Sequence, residues 1–314
     1  MTFLDILLLL LIAAAAGYVA SVIVATLCTF LITFVRTKPT KWTTTEDDKS
    51  PEKQAMYAFG RTWREEHADK MREVFVTNGG LRLHGEYYDF GFDKAVIVLL
   101  GRSENTLAGF YYVDPYVRCG YNVLITDNRA HGKSEGKFVT FGYEESKDML
   151  AWADLLHTRF GNRKCVLHGV CVGASAGVYA LVREDCPDYI EGLVSEGMHT
   201  RLYETVKNHI IERKKPVFPV IYTVNWLLLL FTHHSMMRGP IDVIDRYTKP
   251  ILFLQGKEDL FSRPEKTSVM FEKCTSADKT VCYFDKGPHS LLKYYNPEQY
   301  DGAVTRFLQE LNEK

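Results

Sequence analysis

The 314-residue sequence predicts an α/β fold. Its parts are a mostly parallel central sheet, helices on both faces, a helical cap insertion and an N-terminal transmembrane helix. Three observations carry this. Short apolar runs alternate with amphipathic stretches from Val74 onward, the pattern of a parallel sheet covered on both sides. Residues 3–35 are almost wholly apolar. About fifty residues between Ser195 and Lys249 contain no core strand.

The apolar run comes first. Asp5 is its only charge. About 20 residues of helix cross the hydrocarbon core, so the run is long enough. A cleaved signal peptide is the competing reading, with small residues at 13–17 as its cleavage site. However, no Lys or Arg precedes the run, and the run continues well past that point. A retained single-pass anchor over residues 1–36 is expected. Arg36, Lys38 and Lys41 follow it, and the positive-inside tendency places the following domain in the cytoplasm. Residues 37–71 then read as a polar linker, 37–51, and an amphipathic helix, 54–71. In that helix Met56, Phe59, Trp63, His67 and Met71 recur at three- and four-residue steps. Packing on the domain edge is preferred to contact with lipid, because its polar face mixes Glu and Asp with Lys and Arg.

Residues 72–314 form the main domain. Strands at 73–77 and 81–88 flank Asn78-Gly79-Gly80, a hairpin signal. Apolar runs at 95–100 and 121–126 suit buried parallel strands. Helical spacing at 143–160 puts Met149, Trp152, Leu155 and Leu156 on one side. A strand at 165–168 leads into a helix of small residues at 171–182. Strands at 190–194 and 251–255, a helix at 264–274 with Pro264 in its first turn, a strand at 281–284 and a helix at 297–311 complete the alternation. The cap spans about 196–249. Its apolar run at 218–231 is short for a membrane span, so a buried cap helix is preferred to a membrane-dipping element. A greasy cap favours a substrate with an acyl part.

Formal net charge is -1, which gives no case for nucleic acid. The seven cysteines are scattered and odd in number, without metal spacing, so a reducing compartment suits them better than a disulfide framework. No metal and no cofactor are expected. The oligomeric state stays open.

Residues 166–177 read VLHGVCVGASAG and hold two overlapping elbows, GVCVG and GASAG. The first follows a strand directly and opens a helix, the context of a nucleophile elbow. Cys171 is therefore preferred to Ser175, which lies about one helical turn further on and reads as a packing residue. The bland reading of Cys171 is a small apolar core residue. Candidate partners follow in the order nucleophile, acid, histidine: Asp259 in QGKED, with Glu258 competing, and His289 in GPHS. A His between a thiol and a carboxylate can take the thiol proton while the carboxylate fixes its tautomer. The Val172 N–H at the helix start is one candidate oxyanion donor. The second is expected after the 95–100 strand, from Arg102 or Ser103, and Arg102 is the preferred residue.

From Met71 onward the chain resembles the α/β-hydrolase superfamily. The likeness is to bacterial membrane-anchored or exported hydrolases of the esterase, lysophospholipase and serine-aminopeptidase-like group. It rests on NGGLRLHG, GYNVLITDNRAHGKSEG, the elbow, QGKED and GPHS. In that family Asp127, Arg129 and His131 would shape a loop rather than react. The chain departs from the family with Cys171 where Ser is usual and Leu100-Gly101 where His-Gly is usual. A Cys elbow with Asp and His is similar to dienelactone hydrolase. The resemblance implies cleavage of a small-molecule ester, thioester or lactone through an acyl-enzyme. The alternatives are a membrane-anchored binding protein that has lost turnover, and an acyltransferase.

Overall fold

The computed structural model describes residues 2–42 and 50–313. Residues 43–49 of the expected linker lie outside the described residues. Helix α1, Phe3–Phe34, is capped at its start by a reciprocal pair: Thr2 accepts from the Asp5 N–H, and the Asp5 carboxylate accepts from the Thr2 N–H. The one charge of the apolar run is thus used where the helix dipole favours an anion. At the other end, the Lys41 ammonium donates to the carbonyls of Leu31, Ile32 and Val35, a cation where orphan carbonyls gather. By length and composition α1 can cross a membrane. Only its last third is buried, through Thr26, Phe30 and Phe34. Beyond it the chain is pinned to the domain. Val35 bridges Phe138, and the Arg36 guanidinium donates to the carbonyls of Gly132 and Ser134.

Helix α2 spans Pro51–Glu66, earlier at both ends than its periodicity predicts. Ser50 accepts from the Lys53 N–H and Pro51 stands in the first turn, a start signal placed before the first apolar repeat. It ends where the His67 ring stacks on Trp63, and Met71 already belongs to the sheet.

The sheet has eight strands: β1 Met71–Asn78, β2 Leu81–Tyr88, β3 Lys94–Leu99, β4 Tyr121–Thr126, β5 Lys164–Val170, β6 Ile190–Glu196, β7 Ile251–Gly256 and β8 Lys279–Phe284. Their order is β1-β2-β4-β3-β5-β6-β7-β8. β1–β2 and β2–β4 are antiparallel; all later pairs are parallel. The first hairpin turns through Gly79 and Gly80, both at positive φ.

Between β3 and β4 lie two short helices, α3 Thr106–Gly109 and α4 Asp114–Arg118, that periodicity is too brief to announce. The others are α5 Tyr143–Phe160, α6 Val172–Leu181, α7 Leu202–Glu212, α8 Val220–Thr232, α9 Pro264–Lys273, α10 Leu292–Tyr295 and α11 Pro297–Asn312. Alternate strand residues feed two cores. Val96, Val98, Val123 and Ile125 pack with α2, α4 and α11, while Ala95, Ile97, Leu99 and Leu124 pack with α5 and α6.

A third core joins the end of α1 to the cap. Phe30 and Phe34 meet Leu202 and Val206 of α7, Val220, Ile221, Val224 and Leu228 of α8, and Phe141. The expected buried cap helix is buried on one face alone. Phe218, Tyr222, Trp226, Leu230 and Phe231 remain exposed.

Two glycines make this packing testable. A Cβ at Gly60 of α2 would lie 2.1 Å from the Leu107 carbonyl oxygen, whereas one at Gly302 of α11 meets nothing within 4 Å. Gly60→Val should lower the denaturation midpoint by an amount worth about 1–3 kcal/mol. Gly302→Ala should raise it by about 0.5–1 kcal/mol. Urea unfolding in detergent reads both.

Candidate active site

β5 runs two residues beyond its predicted end, to Val170, and α6 begins at Val172. Cys171 alone therefore reverses the chain, at φ 53 and ψ -103. Neither flank tolerates a side chain. A Cβ at Gly169 would lie 2.3 Å from the Ala174 nitrogen, and one at Gly173 would lie 1.9 Å from the Leu99 carbonyl oxygen. Such a backbone costs roughly 1–3 kcal/mol at a non-glycine residue. It is held from both sides: the Cys171 N–H donates to Glu196 (2.8 Å) and its carbonyl accepts from Ser175 (3.2 Å). The Cys171 side chain lines a cavity of about 170 Å³ with Thr33, Arg102, Val206, Phe261 and His289.

His289 reaches this cavity from the loop after β8. Its Nδ1 lies 2.7 Å from Oδ2 of buried Asp259. The other Asp259 oxygen accepts from the N–H groups of Phe261 and Ser262, each at 2.8 Å, so the carboxylate is fixed before it meets the ring. Glu258, the competing acid, instead accepts from the Gly287 N–H at 3.0 Å and braces the loop that carries His289. Gly197 leaves room for the pair, since a Cβ there would lie 3.2 Å from the imidazole. Burial opposes a charged His289. Asp259 and Cys171, each by charge and by hydrogen bond, outweigh it and hold the ring well above the usual imidazole range.

The facing loop offers its donors selectively. The Gly101 N–H is taken by the Glu104 carboxylate (3.0 Å) and the Ser103 N–H by His131 Nε2 (3.2 Å). The Arg102 N–H between them has no acceptor among the described residues. Of the two donors expected after β3, Arg102 is thus the one left available. His131 can accept because its Nδ1–H donates to the Arg129 carbonyl (2.9 Å) and burial lowers its pKa to about 4, which keeps the ring neutral. Trp42 stacks on the same ring. Glu104 pairs with Lys53 of α2. On the other side, the Val172 N–H stands at the first position of α6, among the donors that a helix leaves without internal partners.

Ser175 is fully buried one turn into α6, with its hydroxyl 3.1 Å from His199 Nδ1. It does not reach the cavity of Cys171. Asp127 binds His84 (2.7 Å) and the Lys133 N–H, and Arg129 forms a fork onto Asp148. Both therefore hold the loop after β4. Sequence reasoning misses the parts played by Thr33, Glu104, Lys53 and His199. Only the GMHT segment directly after β6 carries a signal, as a His at a strand's carboxyl end.

Beneath the elbow, Glu196 is fully buried and accepts from the Tyr300 hydroxyl at 2.7 Å. Burial raises it to about 7, against the lowering effect of Tyr300. The sign follows. The native state holds this proton more tightly than the unfolded chain does. The group's contribution to stability is complete below about 4.5 and is lost as pH rises through about 7. The loss is roughly 3 kcal/mol at about 1.4 kcal/mol per pH unit. Glu196→Gln should flatten that part of the stability profile, read by denaturant midpoints between pH 4.5 and 8.

No family model matches the chain. An uncharacterized protein of Bacillus subtilis is 27% identical over 224 residues, 70% of this chain and 72% of its own length. An uncharacterized membrane protein of Saccharomyces cerevisiae is 24% identical over 201 residues, 63% of this chain and 65% of its own. Among solved structures, an esterase of Pyrococcus furiosus is similar with a TM-score of 0.66 at 23% identity, covering 79% of this chain and 93% of the esterase. With the strand order and the elbow after β5, this establishes the α/β-hydrolase fold.

Proposed function

We propose that the protein is a membrane-anchored hydrolase that cleaves a carboxylic ester, thioester or lactone through Cys171, His289 and Asp259. The observation that carries this is that Cys171 and His289 line one cavity while His289 Nδ1 lies 2.7 Å from Asp259. Fold likeness to an esterase supports hydrolysis, and the yeast relative's description as a membrane protein supports the anchor. In this reading residues 1–36 are the anchor and 72–314 the catalytic domain, with its cap at about 196–249. The basic residues Arg36, Lys38 and Lys41 after the apolar run support a cytoplasmic domain, by the positive-inside tendency.

The Cys171 thiolate attacks the substrate carbonyl and forms a C–S bond. The carbonyl electron pair moves onto oxygen, where the Val172 and Arg102 N–H groups receive it. As it returns, the bond to the leaving oxygen or sulfur breaks, and His289 supplies the proton that leaves with it. Asp259 keeps Nδ1 protonated, so Nε2 is the face that exchanges protons with sulfur and leaving group. Water then gives a proton to His289 and its oxygen to the acyl carbon. The acid departs and the thiolate is restored.

Iodoacetamide should label Cys171 selectively, and His289→Ala should slow that labelling about tenfold or more at pH 6.5, since the thiolate is the reactive form. Cys171→Ala should lower kcat/KM on short acyl esters, thioesters or lactones by about a thousandfold or more. Fluorophosphonate labelling at Ser175 would move the nucleophile. Absence of both labelling and turnover would favour a binding protein. Transfer of the acyl group to an added alcohol or amine in preference to water would favour an acyltransferase.

A further inference from the structure

Helix α8 has a second face that the domain does not use. Tyr222, Trp226 and Leu230, with Phe218 just before the helix, recur every fourth residue and are 52%, 64%, 54% and 72% exposed. Such a stripe of large apolar residues on a helix marks an interaction surface. Its neighbours say which kind. The buried face of α8 lies against α1: Thr223 hydrogen-bonds Thr26 at 2.6 Å, and Val224 and Leu228 share a core with Phe30 and Phe34. Along α1, Leu27, Leu31 and Ile32 are exposed as well. The two exposed faces therefore belong to adjoining helices, one of which is long and apolar enough to cross a membrane.

Length places α8 in depth. The 32 residues of α1 span about 48 Å at 1.5 Å per residue. A hydrocarbon core of about 30 Å needs about 20 of them. Burial against the domain begins at Ala25 and Thr26, so the first two-thirds are left for the core and the last third, with α8 beside it, stands at the boundary. Trp and Tyr are suited to that depth, with an apolar ring and a polar edge. Between α7 and α8 the exposed residues Arg213, Lys214 and Lys215 follow one acid, Glu212. A basic loop beside an aromatic face matches an anionic lipid surface.

The Cys171 cavity faces the same region. Thr33, from the last turn of α1, is part of its wall, with Leu202, Val206 and His209 of α7. Arg102 also lines that cavity. Apolar Leu202, Val206 and Phe261 together with the cation of Arg102 suit an acyl chain with an anionic head.

We propose that the exposed stripe of α8 and the basic loop before it lie in the headgroup–acyl boundary of an anionic membrane, and that the cavity of Cys171 draws an acyl lipid from that boundary. The choice of substrate rests on the hydrolase reading above; the docking surface does not. The test uses the full chain in vesicles of acyl-brominated phosphatidylcholine, with and without phosphatidylserine. Bromine should quench a tryptophan component that is lost in Trp226→Phe, more strongly with phosphatidylserine present. Tyr222→Glu/Trp226→Glu should cut hydrolysis of a vesicle-embedded acyl lipid by roughly tenfold or more and leave a water-soluble short ester within about twofold. Trp226 that stays unquenched and open to aqueous acrylamide overturns the docking surface, even if the short ester is cleaved. Trp226 shielded from both quenchers would mean that a second copy or another protein covers it, which also overturns the proposal. Equal loss on both substrates would overturn delivery from the membrane. Quenched Trp226 with neither substrate cleaved would sink the hydrolase reading and leave the docking surface standing.

Discussion

One residue reverses the chain between β5 and α6, and the site is arranged around that shortage. With no room for a Cβ at Gly169 or Gly173, the start of α6 sits directly on the end of β3. A longer turn would let Cys171 relax and let its side chain fold back into the core. The contact forbids this, and the strain at φ 53 is carried by hydrogen bonds to Glu196 and Ser175. The same contact brings the loop after β3 beside the sulfur: a Cβ at Gly101 would lie 3.5 Å from the Cys171 Cβ. Elbow and donor loop are one packing solution.

That loop is in turn governed by charge. His131 must be neutral at Nε2 to accept from Ser103, and burial makes it so. Glu104 takes the Gly101 N–H and is itself held by Lys53 from α2. A helix that by pattern lies at the domain edge therefore supports the side of the site opposite His289. Disturbing α2 should be felt at the Arg102 N–H through this chain of contacts, although α2 contributes no residue to the cavity wall.

Much of this was legible in the sequence, for reasons that differ by element. Buried parallel strands announce themselves as apolar runs and the first antiparallel pair by its Asn-Gly-Gly turn, so all eight strands were readable with ends shifted by a few residues. The elbow and the order of Asp259 and His289 were readable because turn chemistry is local. Helix α7 was not readable: its buried residues Leu202, Thr205 and Val206 make too short a period to stand out from the cap. The one-sided burial of α8 was hidden because a helix apolar all round gives no sign of which face is covered. Sequence prefers Asp259 to Glu258 and Arg102 to Ser103, but which N–H groups each alternative engages is encoded in no local pattern and is visible in the fold alone.

The least legible feature is the role of the anchor. Read from sequence, residues 1–36 and the domain are separate objects joined by a linker. In the fold, Phe30 and Phe34 are core residues, each worth about 1.5–3 kcal/mol on burial. Lys41 caps the last carbonyls of α1, and Arg36 ties the chain to the loop after β4. The end of α1 is therefore joined to the domain by packing and by hydrogen bonds. Thr33 makes α1 part of the cavity's wall. Removing α1 would expose the apolar faces of α7 and α8 and open the site on one side. Helix α1 is thus a structural part of the cavity as well as of the fold.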